Sequence, residues 1–213
     1  MKKSKAPLIF ALLESIVFIS FTIGDASGKF STEYIKYAGI ALCFLYSLLN
    51  IGENKFRFLS SVAFAFTLAA DYFLLLRGEN FEAGVALFTV AQIFHFLRIS
   101  SACNKISIVS VISRIALTAI ILVFEYAFGL LTPLNILVAV YFSNLLINCA
   151  DGFAYFLKTK NALLFAGFLL FICCDICVGT ANLGFNFSQG VRETLLILCW
   201  TFYLPSQTLI ALF

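Results

Sequence analysis

The sequence predicts an all-α integral membrane protein, a bundle of eight transmembrane helices with both termini cytoplasmic. The first observation is composition: 62% of the 213 residues are apolar, 12% are charged, and the mean hydropathy is +1.02. Water-soluble domains have about 45–50% apolar and about 25% charged residues. A soluble globule, a disordered chain and a nucleic-acid-binding domain are therefore excluded. The spacing of the apolar runs and the distribution of basic residues are the second and third observations.

Eight apolar runs are separated by short connectors, and each run is close to the roughly 20 residues that a helix needs to cross a bilayer. The predicted spans are approximately 7–24, 34–51, 56–76, 81–100, 107–130, 133–157, 162–183 and 193–213. The connectors are, in order, DASGK, GENK, RGEN, CNK, a Thr132-Pro133 break, KTKN and GFNFSQGVR. Because no connector is long enough to separate domains and no internal repeat is evident, we expect residues 1–213 to form a single transmembrane domain.

Basic residues fall mostly on one side of the membrane if the N-terminus is cytoplasmic. That side has nine, namely Lys2, Lys3, Lys5, Lys55, Arg57, Arg98, Lys105, Lys158 and Lys160. The other side has four, namely Lys29, Lys36, Arg77 and Arg192. Cytoplasmic connectors carry an excess of Lys and Arg, so this distribution favours an even number of spans with both termini cytoplasmic. The net charge of +3 indicates no nucleic-acid partner, because the basic residues stand at the ends of segments.

The N-terminal sequence MKKSKAPLIF has the basic and then apolar character of a signal peptide. The apolar run continues to Gly24, however, and it contains Glu14 and no convincing small-residue cleavage site. We therefore expect this segment to be retained as the first helix.

The cysteines predict neither a disulfide framework nor a metal centre. There are seven, an odd number, and all but Cys103 lie within apolar runs, where they serve as small apolar filler. Cys174 and Cys177 form a CxxC on one helix face, but no second cysteine pair or histidine pattern completes a zinc-binding set. The sequence has no Gly-rich phosphate loop, GxSxG elbow or HExxH helix. We expect no metal and no cofactor.

Asp71 and Asp175 are the most informative ionisable residues, because such residues within apolar spans usually face the bundle interior and mark a site. They lie 15 and 13 residues after the cytoplasmic starts of spans that run in the same direction. With a rise of 1.5 Å per residue, the two carboxyls are within about 3 Å in depth. Two such groups in a low-dielectric bundle do not both ionise easily, so one can donate a proton while the other acts as base. The structural alternative is a protonated Asp that hydrogen-bonds a neighbouring helix.

Other ionisable residues lie in or near spans, namely Glu14, His95, Arg114, Glu125 and Asp151. For Arg114, Glu125 and Asp151, helix tilt or snorkelling towards a span end is a sufficient explanation. Glu14 lies deeper, and both a structural and a functional role stay open for it.

Uncharged polar residues near the middle of three spans are predicted to bind the polar part of a ligand. They are Gln92 in the fourth span, Tyr141, Asn144 and Asn148 in the sixth, and Tyr203 and Gln207 in the eighth. The residues of the sixth span are spaced i, i+3, i+7 and those of the eighth i, i+4, so each set shares a helix face. The pattern indicates a polar interior or cavity, although polar contacts between helices produce it as well.

Three sequence blocks carry a resemblance to a known family. Residues 70–96, ADYFLLLRGENFEAGVALFTVAQIFHF, have an Asp near the end of one span and Phe-x-x-Gly-x-x-x-Phe at the start of the next. Residues 166–185, AGFLLFICCDICVGTANLGF, are similar to a Gly-x-x-x-Phe-x-x-Ser-Asp segment, and the final FYLPSQTLIALF to a Tyr-x-x-x-Gln-x-Leu-Ile-Ala ending. In their order and spacing these blocks resemble the YhhN family of lysoplasmalogenase-like multi-pass membrane proteins.

The sequence departs from the family pattern at three positions. Ala70 precedes the first Asp where Gly is usual, and Cys174 stands where Ser is usual. Gln92 stands where the family leads us to expect His, and His95 follows one turn later.

The resemblance implies hydrolysis of the vinyl-ether bond of a lysoplasmalogen to a fatty aldehyde and a glycerophospho-base. The family's paired acids map onto Asp71 and Asp175, which would act as acid and base, and the Gln of its closing motif maps onto Gln207. The partners implied are an amphiphilic, lysophospholipid-type substrate and the lipid bilayer. The short connectors and the unpaired cysteines suit a bacterial cytoplasmic membrane, and no sequence feature indicates an oligomeric state.

Two functions of other classes stay open. In a proton-coupled transporter of a small solute or lipid, the buried acids would form a proton relay. Transporters often contain inverted repeats and helices interrupted by Gly or Pro, whereas Pro205 is the only proline well inside a span of this sequence. A structural or interaction protein would not need paired acids at matched depth.

Overall fold

The computed structural model is helical almost throughout the part of the chain that it describes, residues 5–28, 30–52, 55–182 and 187–213. Those residues form eight α-helices and no strand. The helices are α1 Ala6–Ser27, α2 Glu33–Leu49, α3 Lys55–Asp71, α4 Phe81–Ala102, α5 Ile108–Ala127, α6 Pro133–Thr159, α7 Leu163–Asn182 and α8 Gln189–Leu212. The predicted all-α bundle of eight helices is confirmed.

The cytoplasmic location of both termini stays a prediction. Three of the lysines on which it depends, Lys2, Lys3 and Lys29, lie outside the described residues, as do parts of the connectors GENK and GFNFSQGVR.

Seven of the eight helices in the described residues are long and apolar enough to cross a membrane. The exception is α2, whose 17 residues span about 26 Å, somewhat less than the hydrocarbon thickness of about 30 Å. It nevertheless lies within the bundle, in contact with α1, α3 and α8. The predicted limits are close to the observed ones, with α8 beginning at Gln189 instead of residue 193.

The third predicted span changes its helix type directly after Asp71. The α-helix ends there and continues as a π-helical segment, Tyr72–Arg77, followed by Gly78 with a left-handed φ of 60°. Stretches of π-helix are rare and often occur at functional sites. The apolar pattern predicts one regular span over 56–76, because a change in backbone hydrogen bonding leaves the order of apolar residues unaltered.

Six helices form a closed ring around a common interior. Each helix contacts the next in the order α2, α3, α4, α6, α7, α8, and α8 contacts α2. The helix α1 packs on the outside of α2 and α8, and α5 packs on the outside of α6. Only 17% of the apolar window of α1 and 11% of that of α5 is buried, against 33–50% in the other spanning helices. Polar side chains that are buried inside the ring are therefore separated from lipid by protein.

The order of helix contacts repeats halfway along the chain. The helices α2, α3 and α4 are consecutive in the ring, and so are α6, α7 and α8, each set being preceded by a peripheral helix. Contacts of α4 with α6 and of α8 with α2 join the two sets. The bundle thus consists of two similarly arranged halves, a repeat that was not evident in the sequence.

Glycine allows α7 and α8 to approach each other closely. A Cβ added at Gly167 would lie 2.6 Å from Cγ1 of Ile210 and 3.1 Å from the backbone oxygen of Ser206. Small residues are typical of such close contacts between membrane helices, because they let the backbones approach.

We predict that Gly167→Ala lowers the thermal unfolding midpoint of the detergent-purified protein, because overpacking a tight contact costs about 1–3 kcal/mol. The control is Gly179→Ala on the same helix, where an added Cβ meets nothing within 4 Å. That change should leave the midpoint unchanged or raise it, because Ala favours a helix more than Gly does. Equal midpoints for the two variants would contradict the close α7–α8 contact.

Candidate active site

Each of the two predicted acids accepts a hydrogen bond from a tyrosine on another helix of the ring. The Tyr203 hydroxyl on α8 donates to Oδ2 of Asp71 on α3 at 2.7 Å. The Tyr141 hydroxyl on α6 donates to Oδ2 of Asp175 on α7, also at 2.7 Å. In the described part of the chain neither Oδ1 atom takes part in a hydrogen bond, so each carboxyl keeps one oxygen available to carry or accept a proton.

Two phenylalanines connect the two tyrosine–aspartate pairs. The ring of Phe88 lies 5.9 Å from that of Tyr141 and 6.3 Å from that of Tyr203, measured between centroids. The ring of Phe171 lies 6.4 Å and 5.3 Å from the same two rings and 5.9 Å from that of Phe88. The four rings form one aromatic cluster inside the bundle, and both carboxyls border it through their tyrosines.

We call the two aspartates together with these four aromatic residues the acid site. Asp71 is within electrostatic range of Tyr141, the hydrogen-bond partner of the other acid. Asp71 is buried, whereas Asp175 is half-buried and so closer to the molecular surface. In this setting a carboxylic acid can donate a proton, and the tyrosine hydroxyl stabilises the carboxylate that results.

Gln92 and Asn148 belong to a second polar cluster. The Asn148 amide donates to Oε1 of Gln92 at 2.8 Å, and its Oδ1 accepts from the Arg114 guanidinium at 2.9 Å. Arg114 also forms an ion pair with Asp151 at 2.8 Å, and the Ser110 hydroxyl donates to Asp151 at 2.6 Å. These contacts tie α4, α5 and α6 together.

Arg114 and Asp151 therefore pair with each other instead of snorkelling towards a span end. Their side chains are only 9% and 21% exposed. The contact joins different helices across 37 residues of sequence, so position along a span does not reveal it.

Asn144 and Gln207 make polar contacts mainly within their own helices. The Asn144 amide donates to the backbone oxygen of Val140 at 2.8 Å, and the Gln207 amide donates to Oγ of Ser206 at 3.3 Å. Both residues are buried, as the shared helix faces predict. That the six polar residues of these faces bind a ligand stays a prediction, and two of them, the tyrosines, lie at the acids.

Glu14 and His95 lie outside the acid site as we define it. Glu14 is buried and accepts a hydrogen bond from the Cys43 thiol at 3.4 Å, which links α1 to α2. The His95 ring is buried between the edges of Phe64 and Phe168, at centroid distances of 5.9 and 5.5 Å. Among the described residues, no group of three or more His, Cys, Asp or Glu side chains is arranged to hold a metal ion.

Tyr37 is a residue near the acid site that composition and depth do not single out. It lies on α2, is half-buried, and is within electrostatic range of Asp71. The signal that identifies it is spacing. Tyr37 precedes Asp71 by the same 34 residues that separate Tyr141 from Asp175.

Comparison with known proteins agrees with the sequence blocks. The sequence profile of the YhhN family matches residues 31–213. The chain belongs to the YhhN family. The match extends over all six helices of the ring and includes both aspartates of the acid site, so the resemblance inferred from the three blocks is confirmed. No curated protein and no solved structure matches this YhhN-family chain.

We predict that Asp151→Asn destabilises the protein, because it leaves the Arg114 charge largely buried without its partner. A fully buried pair costs about 3–5 kcal/mol to break, so about 1–3 kcal/mol is expected for this partly exposed one. Ser110→Ala, which removes a hydrogen bond but no charge, should cost only about 1 kcal/mol. The measurement is thermal unfolding in detergent.

A double-mutant cycle provides the control for this ion pair. Arg114→Gln combined with Asp151→Asn should recover part of the loss, because no unpaired charge remains. Strictly additive effects of the two substitutions would show that the pair is not coupled.

Proposed function

We propose that this YhhN-family protein is a membrane-embedded hydrolase that cleaves the vinyl-ether bond of a lysoplasmalogen. The products are a fatty aldehyde and a glycerophospho-base. The observation that carries the proposal is the pair of interior carboxyls, each with one tyrosine hydrogen bond and one free oxygen. Membership of a lysoplasmalogenase-like membrane family supports a hydrolase-type reaction in general.

The first step is transfer of a proton to carbon. One carboxylic acid gives its proton to the outer carbon of the vinyl ether, and the electrons of the double bond form the new C–H bond. The ether oxygen then shares the positive charge in an oxocarbenium ion. The second carboxyl, ionised, stabilises this cation electrostatically.

The second step adds water. Water attacks the carbon next to the ether oxygen while the carboxylate takes one of its protons, which gives a hemiacetal. The hemiacetal then collapses: its C–O bond to glycerol breaks as the second carboxyl gives its newly gained proton to the glycerol oxygen. The first carboxylate takes the hydroxyl proton as the aldehyde carbonyl forms, so both carboxyls return to their starting states. Two carboxyls flank an oxocarbenium-like transition state in glycoside hydrolysis as well.

The substrate in this proposal is a single-chain lysophospholipid that enters sideways from the bilayer, here that of a bacterial cytoplasmic membrane. The partial exposure of Asp175 supports access from outside the ring. The rings of Phe88 and Phe171 provide an apolar surface for the first carbons of the alkyl chain. Tyr141 and Tyr203 lie at the acids, and we propose that they contact the polar part of the substrate.

A proton-coupled transporter of a small solute or lipid is the second candidate, and the repeated order of helix contacts favours it. Parallel repeats related by an axis along the membrane normal occur in several transporter families. The two candidates differ in what happens to a lysoplasmalogen in sealed proteoliposomes. A hydrolase destroys the vinyl ether in the accessible leaflet, whereas a transporter moves the intact lipid or solute across the bilayer.

We predict that Asp71→Asn and Asp175→Asn each lower fatty-aldehyde release from a lysoplasmalogen by at least about 100-fold. Loss of a positioned acid or base typically costs about 100- to 10,000-fold. Release is measured with detergent-purified protein, and the saturated-ether analogue serves as the substrate control. Glu125→Gln, which alters a carboxyl on the peripheral helix α5, should keep wild-type activity.

Thermal unfolding midpoints of the variants distinguish lost chemistry from lost folding. Normal aldehyde release by both Asn variants would overturn the acid pair. Absence of aldehyde from well-folded wild-type protein would overturn the hydrolase.

A further inference from the structure

The two halves of the bundle correspond residue by residue around the acids. Phe64 precedes Asp71 by seven residues, and Phe168 precedes Asp175 by seven. Both phenylalanine rings meet the ring of His95 edge-on, at interplanar angles of 86° and 80°. One central imidazole touched in the same way from α3 and α7 indicates that these helices occupy equivalent positions about an approximate two-fold axis.

The same correspondence makes Tyr37 the counterpart of Tyr141. Each precedes its aspartate by 34 residues, and each lies on the helix that enters the ring just before the aspartate-bearing helix. The helix α2 of Tyr37 contacts both α3 and the π-helical segment that follows Asp71. Tyr37 is accordingly within electrostatic range of Asp71 and of Tyr72.

The two halves differ in their hydrogen bonds, because Tyr141 donates to Asp175 whereas Tyr37 does not donate to Asp71. Oδ2 of Asp71 already accepts the hydroxyl of Tyr203 from α8. The counterpart of Tyr203 on α4 is Phe88, since each of the two is followed four residues later by a glutamine, and Phe88 has no hydroxyl to offer Asp175. In the described residues the Tyr37 hydroxyl has no hydrogen-bond partner, so a phenol whose hydroxyl no other residue engages lies near Asp71.

We propose that the Tyr37 hydroxyl forms a subsite beside Asp71 that binds the free glycerol hydroxyl of a lysolipid. This inference rests on the proposed function. In a lysoplasmalogen the free hydroxyl is on the carbon next to the one that bears the vinyl-ether oxygen. A substrate placed for protonation at the acid site therefore brings that hydroxyl within a few bond lengths of the reacting atoms.

The subsite gives the enzyme a means of selecting lysolipids. A lipid with a second acyl chain has an ester at this carbon, so it offers no hydroxyl proton and places bulk against Tyr37. The half-buried position of Tyr37 suits this function, because it can meet a ligand without the rearrangement of a packed core.

A chemical double-mutant cycle tests the subsite. The two substrates are the lysoplasmalogen and its 2-deoxy analogue, in which hydrogen replaces the free hydroxyl. The wild type should prefer the hydroxyl substrate by about three- to tenfold in kcat/KM, mainly through KM, as expected for one hydrogen bond. Tyr37→Phe should treat both substrates alike. Tyr34→Phe, on the same helix where the side chain is 74% exposed, should keep the wild-type preference.

Two kinetic results would overturn the subsite. One is a Tyr37→Phe variant that keeps the full preference for the hydroxyl substrate. The other is an equal loss with both substrates, which would show a structural role instead of contact with the hydroxyl.

A binding measurement separates failure of the subsite from failure of the proposed function. The saturated-ether lysolipid and its 2-deoxy form are not cleaved, and their stabilisation of the protein can be measured as a shift in thermal midpoint. The hydroxyl form should stabilise the wild type and Tyr34→Phe more than the deoxy form does, but not Tyr37→Phe. If the wild type releases no aldehyde, the hydrolase fails while this difference still tests Tyr37. Equal stabilisation of the wild type by both lipids would overturn the subsite itself.

Discussion

A carboxyl group in the interior of a bilayer has to be enclosed by protein and given a hydrogen-bond partner, because an unpaired polar group in hydrocarbon costs several kcal/mol. This bundle has to meet that requirement for two carboxyls, those of Asp71 and Asp175. Six helices close a ring, in which Asp71 is buried and Asp175 is half-buried. Asp175 then receives a hydroxyl from the adjacent helix α6, and Asp71 receives one from α8, which is not next to α3 in the ring.

The approximate two-fold arrangement gives the two acids similar frameworks but different surroundings. Both lie seven residues after a phenylalanine that contacts His95. Yet Asp71 is buried and has Tyr37 nearby in addition to its hydrogen-bond partner Tyr203, whereas Asp175 is half-buried and bonded to Tyr141. Acid–base catalysis requires two carboxyls that differ in protonation at the same moment. We propose that the unequal neighbours within this duplicated framework create that difference.

The number of helices could be predicted from the sequence, whereas direction around each helix could not. The number of helices follows from the lengths of the apolar runs, and the matched depth of Asp71 and Asp175, which rests on a fixed rise per residue, stays a prediction. The partners of Arg114 and Asn148 depend on which helices are neighbours in the ring, and this order is not encoded in hydropathy. The π-helical segment is hidden for a related reason, since it changes the hydrogen bonding but not the polarity of residues 72–77. The 34-residue spacing that identifies Tyr37 is present in the sequence, but it is informative only because the two halves of the bundle have the same order of helix contacts.

The isotope content of the aldehyde released in D₂O is the most direct test of proton transfer from the acid pair to carbon. Immediate reduction of the aldehyde to an alcohol preserves its label, and the free aldehyde incubated alone corrects for exchange. Cleavage through carbon protonation should place one deuterium on the carbon next to the carbonyl in every product molecule. An aldehyde released without deuterium at that carbon would contradict the proposed chemistry of Asp71 and Asp175.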